Sequence, residues 1–140
     1  MSTPFRILPR VTADTEFFWT AGRDGVLRFL RCQDCGYYIH PPTPVCPRCL
    51  SRSLLPEPVS GRATVATYTV NYQPWIPGYD PPYIIGIVEI EEQPSVRLMT
   101  NIVDCPIDEV RVGMPVEVRF EQHDDVWLPL FAPVDAEVAS

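Results

Sequence analysis

The sequence predicts a mostly β protein, with a short N-terminal helix, a small cysteine-bearing module and then a five-stranded barrel. Three observations support this fold class. The 140 residues include 17 prolines against 7 glycines, which favours short strands and stiff turns over long helices. Four of the five cysteines form two close pairs, and the second half of the chain carries five short segments of strand-like composition.

The N-terminal helix is expected to follow an extended arm over residues 1–11. Thr12 or Asp14 can cap it, it runs to residue 20 or 21, and Gly22 is its expected stop. A helix of about ten residues does not stand alone in water, so its apolar side chains must pack against the rest of the chain or against a partner protein. Those side chains are three consecutive aromatic residues, Phe17, Phe18 and Trp19.

The two cysteine pairs have zinc-ribbon spacing. Cys32-x2-Cys35 and Cys46-x2-Cys49 are separated by the ten residues 36–45, and each pair can turn both of its sulfurs towards one point. Gly36 permits the positive φ that such a turn often needs. Four thiolates complete a tetrahedron and leave no open position, so we expect one structural zinc ion per chain. Rubredoxin-like iron uses the same ligand set and remains the chemical alternative.

The segments around the cysteines complete the first module. Residues 26–31 and 37–39 have strand composition, and Pro56 and Pro58 make residues 54–60 a stiff extended connector. We therefore divide the chain into residues 1–58, with the arm, helix and ribbon, and residues 59–140, with the barrel. His40 is expected to be a hydrogen-bonded surface residue, and Cys105 an ordinary, partly buried thiol.

The second half of the chain consists of short strands. They are expected at residues 61–72, 83–91, 96–103, 116–121 and 127–131, with a turn at 93–95. Five strands in some seventy residues suit a small barrel of the OB type. A five-stranded sandwich or an SH3-like barrel fits the same pattern.

A proline-rich insertion, residues 73–82, separates the first two barrel strands. Trp75 and Tyr79 place large apolar area on this loop, and its prolines reduce the entropy lost when it is ordered. The loop either contacts a binding partner or folds over one open end of the barrel.

Charge and composition exclude several classes of function. The 11 basic residues, all Arg, face 18 acidic residues, and the resulting net charge of -7 disfavours nucleic acid binding. No run of about twenty apolar residues predicts a membrane span, and no signal peptide is recognisable, so a cytoplasmic location is expected. We find no Ser-His-Asp set and no Gly-rich phosphate loop, and we expect no activity from the chain alone.

The order of these elements resembles the DUF35 family. The resemblance rests on the aromatic helix, the segment LRFLRCQDCG at 27–36, the pair CPRC at 46–49, and the strand openings PPY at 81–83 and VGMPV at 112–116. Members are described as acyl-CoA-associated proteins with a rubredoxin-like zinc ribbon and an OB-fold. The resemblance covers about residues 12–133.

This resemblance implies a non-catalytic, acyl-CoA-handling scaffold subunit. The implied partner is a thiolase-like enzyme, such as an acyltransferase or a retro-aldolase of steroid side-chain degradation, with a MaoC-like hydratase as the alternative. We expect a heterotetramer. A nucleic-acid-binding ribbon with an OB-fold and a rubredoxin-like electron carrier are the competing hypotheses. The expected contact residues for the partner or acyl-CoA are Phe18, Trp19, Trp75 and Tyr79.

Overall fold

The computed structural model describes residues 6–134. Within them, helix α1 spans Glu16–Thr20, and a 3₁₀ turn follows at Ala21–Asp24. The strands are β1 Arg28–Cys32, β2 Tyr38–Ile39, β3 Leu54–Pro58, β4 Arg62–Asn71, β5 Tyr83–Ile90, β6 Gln93–Ile102, β7 Pro115–His123 and β8 Val126–Pro133. The first three form an antiparallel sheet in the order β2-β1-β3, and the other five close into a barrel in the order β4-β5-β6-β8-β7. The mostly β prediction with a five-stranded barrel is confirmed.

Strand β1 is buried on both faces. Side chains alternate along a strand, so Phe29 and the preceding Leu27 share one face while Leu30 and Cys32 share the other. Phe29 and Leu27 belong to the same buried cluster as the barrel interior, whereas Leu30 and Cys32 belong to a second cluster around the cysteines. The small sheet therefore contributes to the barrel core with one face and carries the cysteine cluster on the other.

The expected connector after the cysteines is a strand, so that prediction was wrong. Strand β3 pairs with β1 along its whole length, from Cys32 opposite Leu54 to Arg28 opposite Pro58. It is an edge strand, where a proline is tolerated because its missing N–H need not point at a neighbour. The division at residues 58 and 59 stays a prediction.

The helix is shorter than expected, and a different glycine ends the helical segment. The α-helix holds five residues, and the 3₁₀ turn that continues it ends at Gly25, whose φ is 72°. Gly22, the expected stop, lies inside that turn. A Cβ added to Gly22 would meet the Cβ of Trp127 and would lie 2.6 Å from Phe120 Cδ1. Glycine is needed at residue 22 because the turn packs closely on β7 and β8.

His40 is not the hydrogen-bonded surface residue that we expected. Its half-buried ring lies 5.0 Å from the rings of Phe18 and of Phe29, between the helix and β1. Burial lowers its pKa to about 4, so the imidazole is neutral at pH 7. His40 thus packs as an aromatic side chain between the helix and β1.

The turn between β5 and β6 also differs from the expected one. β5 ends at Ile90 and β6 begins at Gln93, so the residues expected to form the turn are already in the strand. The side-chain amide of Gln93 accepts a hydrogen bond from Tyr38 N at 2.9 Å and donates one to Tyr38 O at 2.9 Å. A barrel side chain thereby pairs with strand β2 as a neighbouring strand would, and joins the two sheets.

The contact of Gly22 with the barrel gives a testable prediction. Gly22→Ala should lower the free energy of unfolding by about 1–3 kcal/mol, because the added methyl group overpacks a contact with two aromatic side chains. Asp24→Ala in the same turn is the matched control, since its side chain is largely exposed, and it should stay within about 0.5 kcal/mol of wild type. Urea unfolding measures both. Equal midpoints for wild type and Gly22→Ala would contradict the packing described.

Candidate functional site

The four paired cysteines converge on one point. Their Sγ atoms all lie within 4.8 Å of one another. Cys32 Sγ lies 3.4 Å from Cys49 Sγ, and Cys35 Sγ lies 3.6 Å from Cys46 Sγ. A tetrahedral ion with metal–sulfur bonds of about 2.3 Å holds its sulfurs about 3.8 Å apart. The cluster therefore fits one tetrahedral, four-thiolate metal ion.

Each cysteine pair sits on a tight turn that ends in a left-handed residue. Gly36 N donates to Cys32 O at 2.9 Å with a φ of 78°, as its sequence position predicts. The second turn repeats this geometry, since Leu50 N donates to Cys46 O at 2.9 Å with a φ of 65°. Leucine does not mark a left-handed position, so the role of Leu50 could not be read from the sequence.

Backbone amides of the turns point at the sulfurs. Cys35 N donates to Cys32 Sγ at 3.4 Å, and Arg48 N donates to Cys46 Sγ at 3.4 Å. The first of these bonds is the chief reason that the pKa of Cys32 is lowered to about 6. The backbone N–H groups of the turns thus stabilise thiolate charge at the cluster, in addition to any stabilisation by a bound cation.

The two sulfurs of each turn differ in their exposure. Cys32 and Cys46 are 1% and 0% exposed, whereas Cys35 and Cys49 are exposed. Although the backbone amide of Ser51 acts to lower it, the pKa of Cys49 is raised to about 12, because the neighbouring sulfurs disfavour a further negative charge. A divalent cation supplies the charge that lets all four cysteines bind as thiolates.

The expected contact residues differ in their exposure. Phe18 is 3% exposed and packs 5.8 Å from the Phe29 ring, so it offers a partner almost no area. Trp19 is half-buried beside Phe18, with ring centroids 4.8 Å apart. Trp75, by contrast, is 71% exposed, and Asn71 Oδ1 accepts a 2.8 Å hydrogen bond from its indole Nε1. Of these three residues, Trp75 is the one whose ring is both exposed to a partner and held by a side-chain hydrogen bond.

Tyr79 is held by a network that the sequence did not reveal. Arg6 Nη1 donates to Tyr79 Oη at 2.9 Å and to Asn101 Oδ1 at 2.9 Å, and Arg6 Nε donates to Glu121 Oε1 at 2.6 Å. Tyr79 also stacks on Tyr83, with centroids 4.4 Å apart. These contacts fasten Arg6 and the proline-rich loop to the barrel, while residues 1–5 of the expected arm lie outside the described residues. Their partners lie 73 to 115 residues apart in the chain, so no local pattern signals them.

The structure also forms a histidine–carboxylate pair. His123 Nε2 lies 2.8 Å from Glu121 Oε1, and the same carboxylate oxygen accepts the bond from Arg6. The pKa of Glu121 is lowered: burial acts to raise it, but the hydrogen bonds from Arg6 and His123 outweigh burial. Glu121 is therefore held as a carboxylate inside an ion-paired network.

Among residues 6–134, no helix has both the length and the apolar character needed to cross a membrane.

The metal centre gives a second prediction. Elemental analysis of the purified chain should find one zinc ion per chain, because the four-thiolate site is complete and closed. Cys49→Ser should lose the zinc and the folded ribbon, since a unit of this size draws much of its folding free energy from the metal. Cys105→Ser is the matched control and should keep both. Stoichiometric iron with visible absorbance, or full zinc content in Cys49→Ser, would contradict this assignment.

Two family models match the chain in sequence order. The model described as "ChsH2, rubredoxin-like zinc ribbon domain" matches residues 19–54, and "ChsH2, C-terminal OB-fold domain" matches residues 56–121. The first match contains all four clustered cysteines, so zinc is the metal that this ribbon type indicates. The second match covers most of the barrel and assigns it to the OB-fold among the alternatives considered.

Curated relatives match over different shares of their lengths. The chain is 33% identical over 125 residues to the "3-oxo-4,17-pregnadiene-20-carboxyl-CoA hydratase alpha subunit" of Mycobacterium tuberculosis, covering 89% of this chain and 39% of that protein. It is 36% identical over 95 residues to a "DUF35 domain-containing scaffold protein" of Methanocaldococcus jannaschii, covering 66% of each. The chain thus spans about two fifths of the hydratase subunit and about two thirds of the scaffold protein.

A solved structure matches nearly the whole chain. It is titled "Ltp2-ChsH2(DUF35) aldolase", and its matching chain superposes with a TM-score of 0.83 at 32% identity, covering 91% of this chain and 100% of the other. The ribbon, the barrel and their arrangement are therefore shared with that chain. Together with the two family models, this match shows that the chain belongs to the DUF35 family, as a ChsH2-type zinc ribbon joined to an OB-fold.

Proposed function

We propose that this chain is a non-catalytic scaffold subunit that handles an acyl-CoA thioester for a thiolase-superfamily enzyme, either a retro-aldol lyase or an acyltransferase. The observation that carries the proposal is the alignment with all of the DUF35 chain in the Ltp2–ChsH2 aldolase structure. A MaoC-like hydratase is the alternative partner, which the name of the M. tuberculosis hydratase subunit supports. Most of the length of that hydratase subunit lies outside the segment that matches this chain.

The chemistry of the described residues supports a subunit without its own active site. The metal cluster has four thiolate ligands and no open position for a substrate. His40 is packed between two phenylalanine rings, and the carboxylate paired with His123 is also bound by Arg6. The groups that most often serve as acid or base are thus engaged in structural contacts.

The proline-rich loop supplies the proposed contact surface for the partner. Its Trp75 ring is exposed, yet the hydrogen bond to Asn71 limits the freedom of the ring. The Arg6–Tyr79 bond holds the loop further along the chain. An aromatic side chain that is ordered before binding loses little entropy on association, which is typical of interface anchors. Trp19 offers a smaller exposed area on the helix.

The substrate class follows from the names of the relatives. The M. tuberculosis hydratase subunit is named for a pregnane-type carboxyl-CoA, which points to steroid side-chain degradation. We extend that class to this chain as part of the proposal, together with a cytoplasmic location and a heterotetramer of two copies around a dimeric enzyme.

Co-expression of this chain with a candidate thiolase-superfamily enzyme tests the proposal. Wild type should co-purify with the enzyme, and Trp75→Ala should weaken association at least about 30-fold, which corresponds to about 2 kcal/mol for an anchor residue. Val112→Ala is the matched control, because Val112 is 63% exposed in the turn before β7, and its affinity should be unchanged. Isothermal titration calorimetry measures all three.

Turnover assays complete the test. Cleavage or acyl transfer of a steroid CoA thioester should appear only when the enzyme and this chain are mixed. Saturable turnover by the chain alone, or bound nucleic acid and no enzyme after purification, would contradict the scaffold function. Equal affinity of wild type and Trp75→Ala would remove the loop from the contact surface.

A further inference from the structure

The four cysteines of the metal centre are unequal in their access to small reagents. Cys35 and Cys49 are exposed, and Cys32 and Cys46 are buried. A cleft of about 420 Å³ is lined by both exposed cysteines together with Gly36, Tyr37, Arg48 and Gln93. A reagent in this cleft can reach the two exposed sulfurs, while the buried pair lies behind them.

The short sulfur–sulfur distances join the two cysteine turns. Cys49 Sγ lies 3.4 Å from Cys32 Sγ, and Cys35 Sγ lies 3.6 Å from Cys46 Sγ. Each of these contacts pairs one exposed sulfur with one buried sulfur from the other turn. A sulfenic acid formed at either exposed sulfur therefore has a buried sulfur of the other turn within 3.6 Å.

We propose that the cleft is a peroxide-sensitive modification site, at which oxidation forms the cross-turn disulfides Cys32–Cys49 and Cys35–Cys46. This inference concerns the metal centre and does not depend on the proposed partner. The exposed Cys35 and Cys49 react first, and each then bonds to the buried sulfur that it contacts.

The chemistry balances with hydrogen peroxide as the oxidant. An exposed thiolate attacks peroxide, an S–O bond forms, the O–O bond breaks and hydroxide leaves, which yields a sulfenic acid. The contacting buried thiolate then attacks that sulfur, an S–S bond forms, the S–O bond breaks and a second hydroxide leaves. Each disulfide consumes one peroxide and removes two electrons from its thiolate pair. Two disulfides leave the chain without thiolate ligands, so the bound zinc is lost.

Peptide mapping of the unmutated, zinc-loaded full chain separates the proposed pairing from the other two. Trypsin cuts after Arg31, Arg48 and Arg52, and a protease that cuts before aspartate cuts at Asp34. Cys32 then lies in peptide 32–33, Cys35 and Cys46 lie in 34–48, and Cys49 lies in 49–52. Cys105 falls in a separate peptide, 104–107.

The expected result after peroxide treatment is peptide 32–33 linked to 49–52, with 34–48 closed on itself by an internal disulfide. Both other pairings would instead link 34–48 to each of its neighbours. Dimedone added during oxidation should label Cys35 and Cys49 before the buried pair, and a zinc indicator should register loss of one zinc per chain.

Three results would overturn the inference. They are links from 34–48 to the neighbouring peptides, first labelling at Cys32 or Cys46, and zinc retention with all four thiols intact at peroxide concentrations that oxidise Cys105. Cys105→Ser serves as a control that the fifth thiol takes no part, and its map of the four clustered cysteines should match wild type. Reduction followed by added zinc should restore the unlinked peptides.

Discussion

The burial of β1 on both faces holds this protein together. On one face, Phe29 and Leu27 are 0% and 1% exposed and belong to the barrel core. On the other, Cys32 is 1% exposed and carries a ligand sulfur of the metal centre. Truncating a fully buried phenylalanine typically costs about 3–5 kcal/mol, a large share of the stability of a small domain. The ribbon and barrel therefore depend on the same strand.

Two further contacts keep the ribbon at a defined angle to the barrel. The Gln93 side chain bonds both backbone groups of Tyr38, and Gly22 brings the helical turn against Trp127. These contacts fix the two sheets relative to one another without a long linker between them. In this arrangement the closed metal centre has a structural role that extends beyond its own turns.

Local patterns in the sequence were sufficient to predict the cysteine cluster and the barrel strands. Cysteine spacing and the period-2 alternation of Val116 and Val118 are read within a few residues. Contacts between distant segments were not predictable. Pro56 and Pro58 by themselves indicate a connector, because the sequence does not show that β1 lies beside them. His40 by itself indicates a polar surface residue, because the sequence does not show that Phe18 and Phe29 enclose its ring. Arg6 could not be assigned because its partners come from three other parts of the chain.

The central claim, that metal centre and barrel form one cooperative unit, is tested by heating the zinc-loaded chain. Zinc release, followed with a weak zinc indicator, and barrel unfolding, followed by the amide resonances of β5, are recorded on one sample. The shared burial of β1 predicts that both transitions have the same midpoint. Zinc release well below the temperature at which the β5 resonances change would contradict the claim, because the barrel would then be independent of the ribbon.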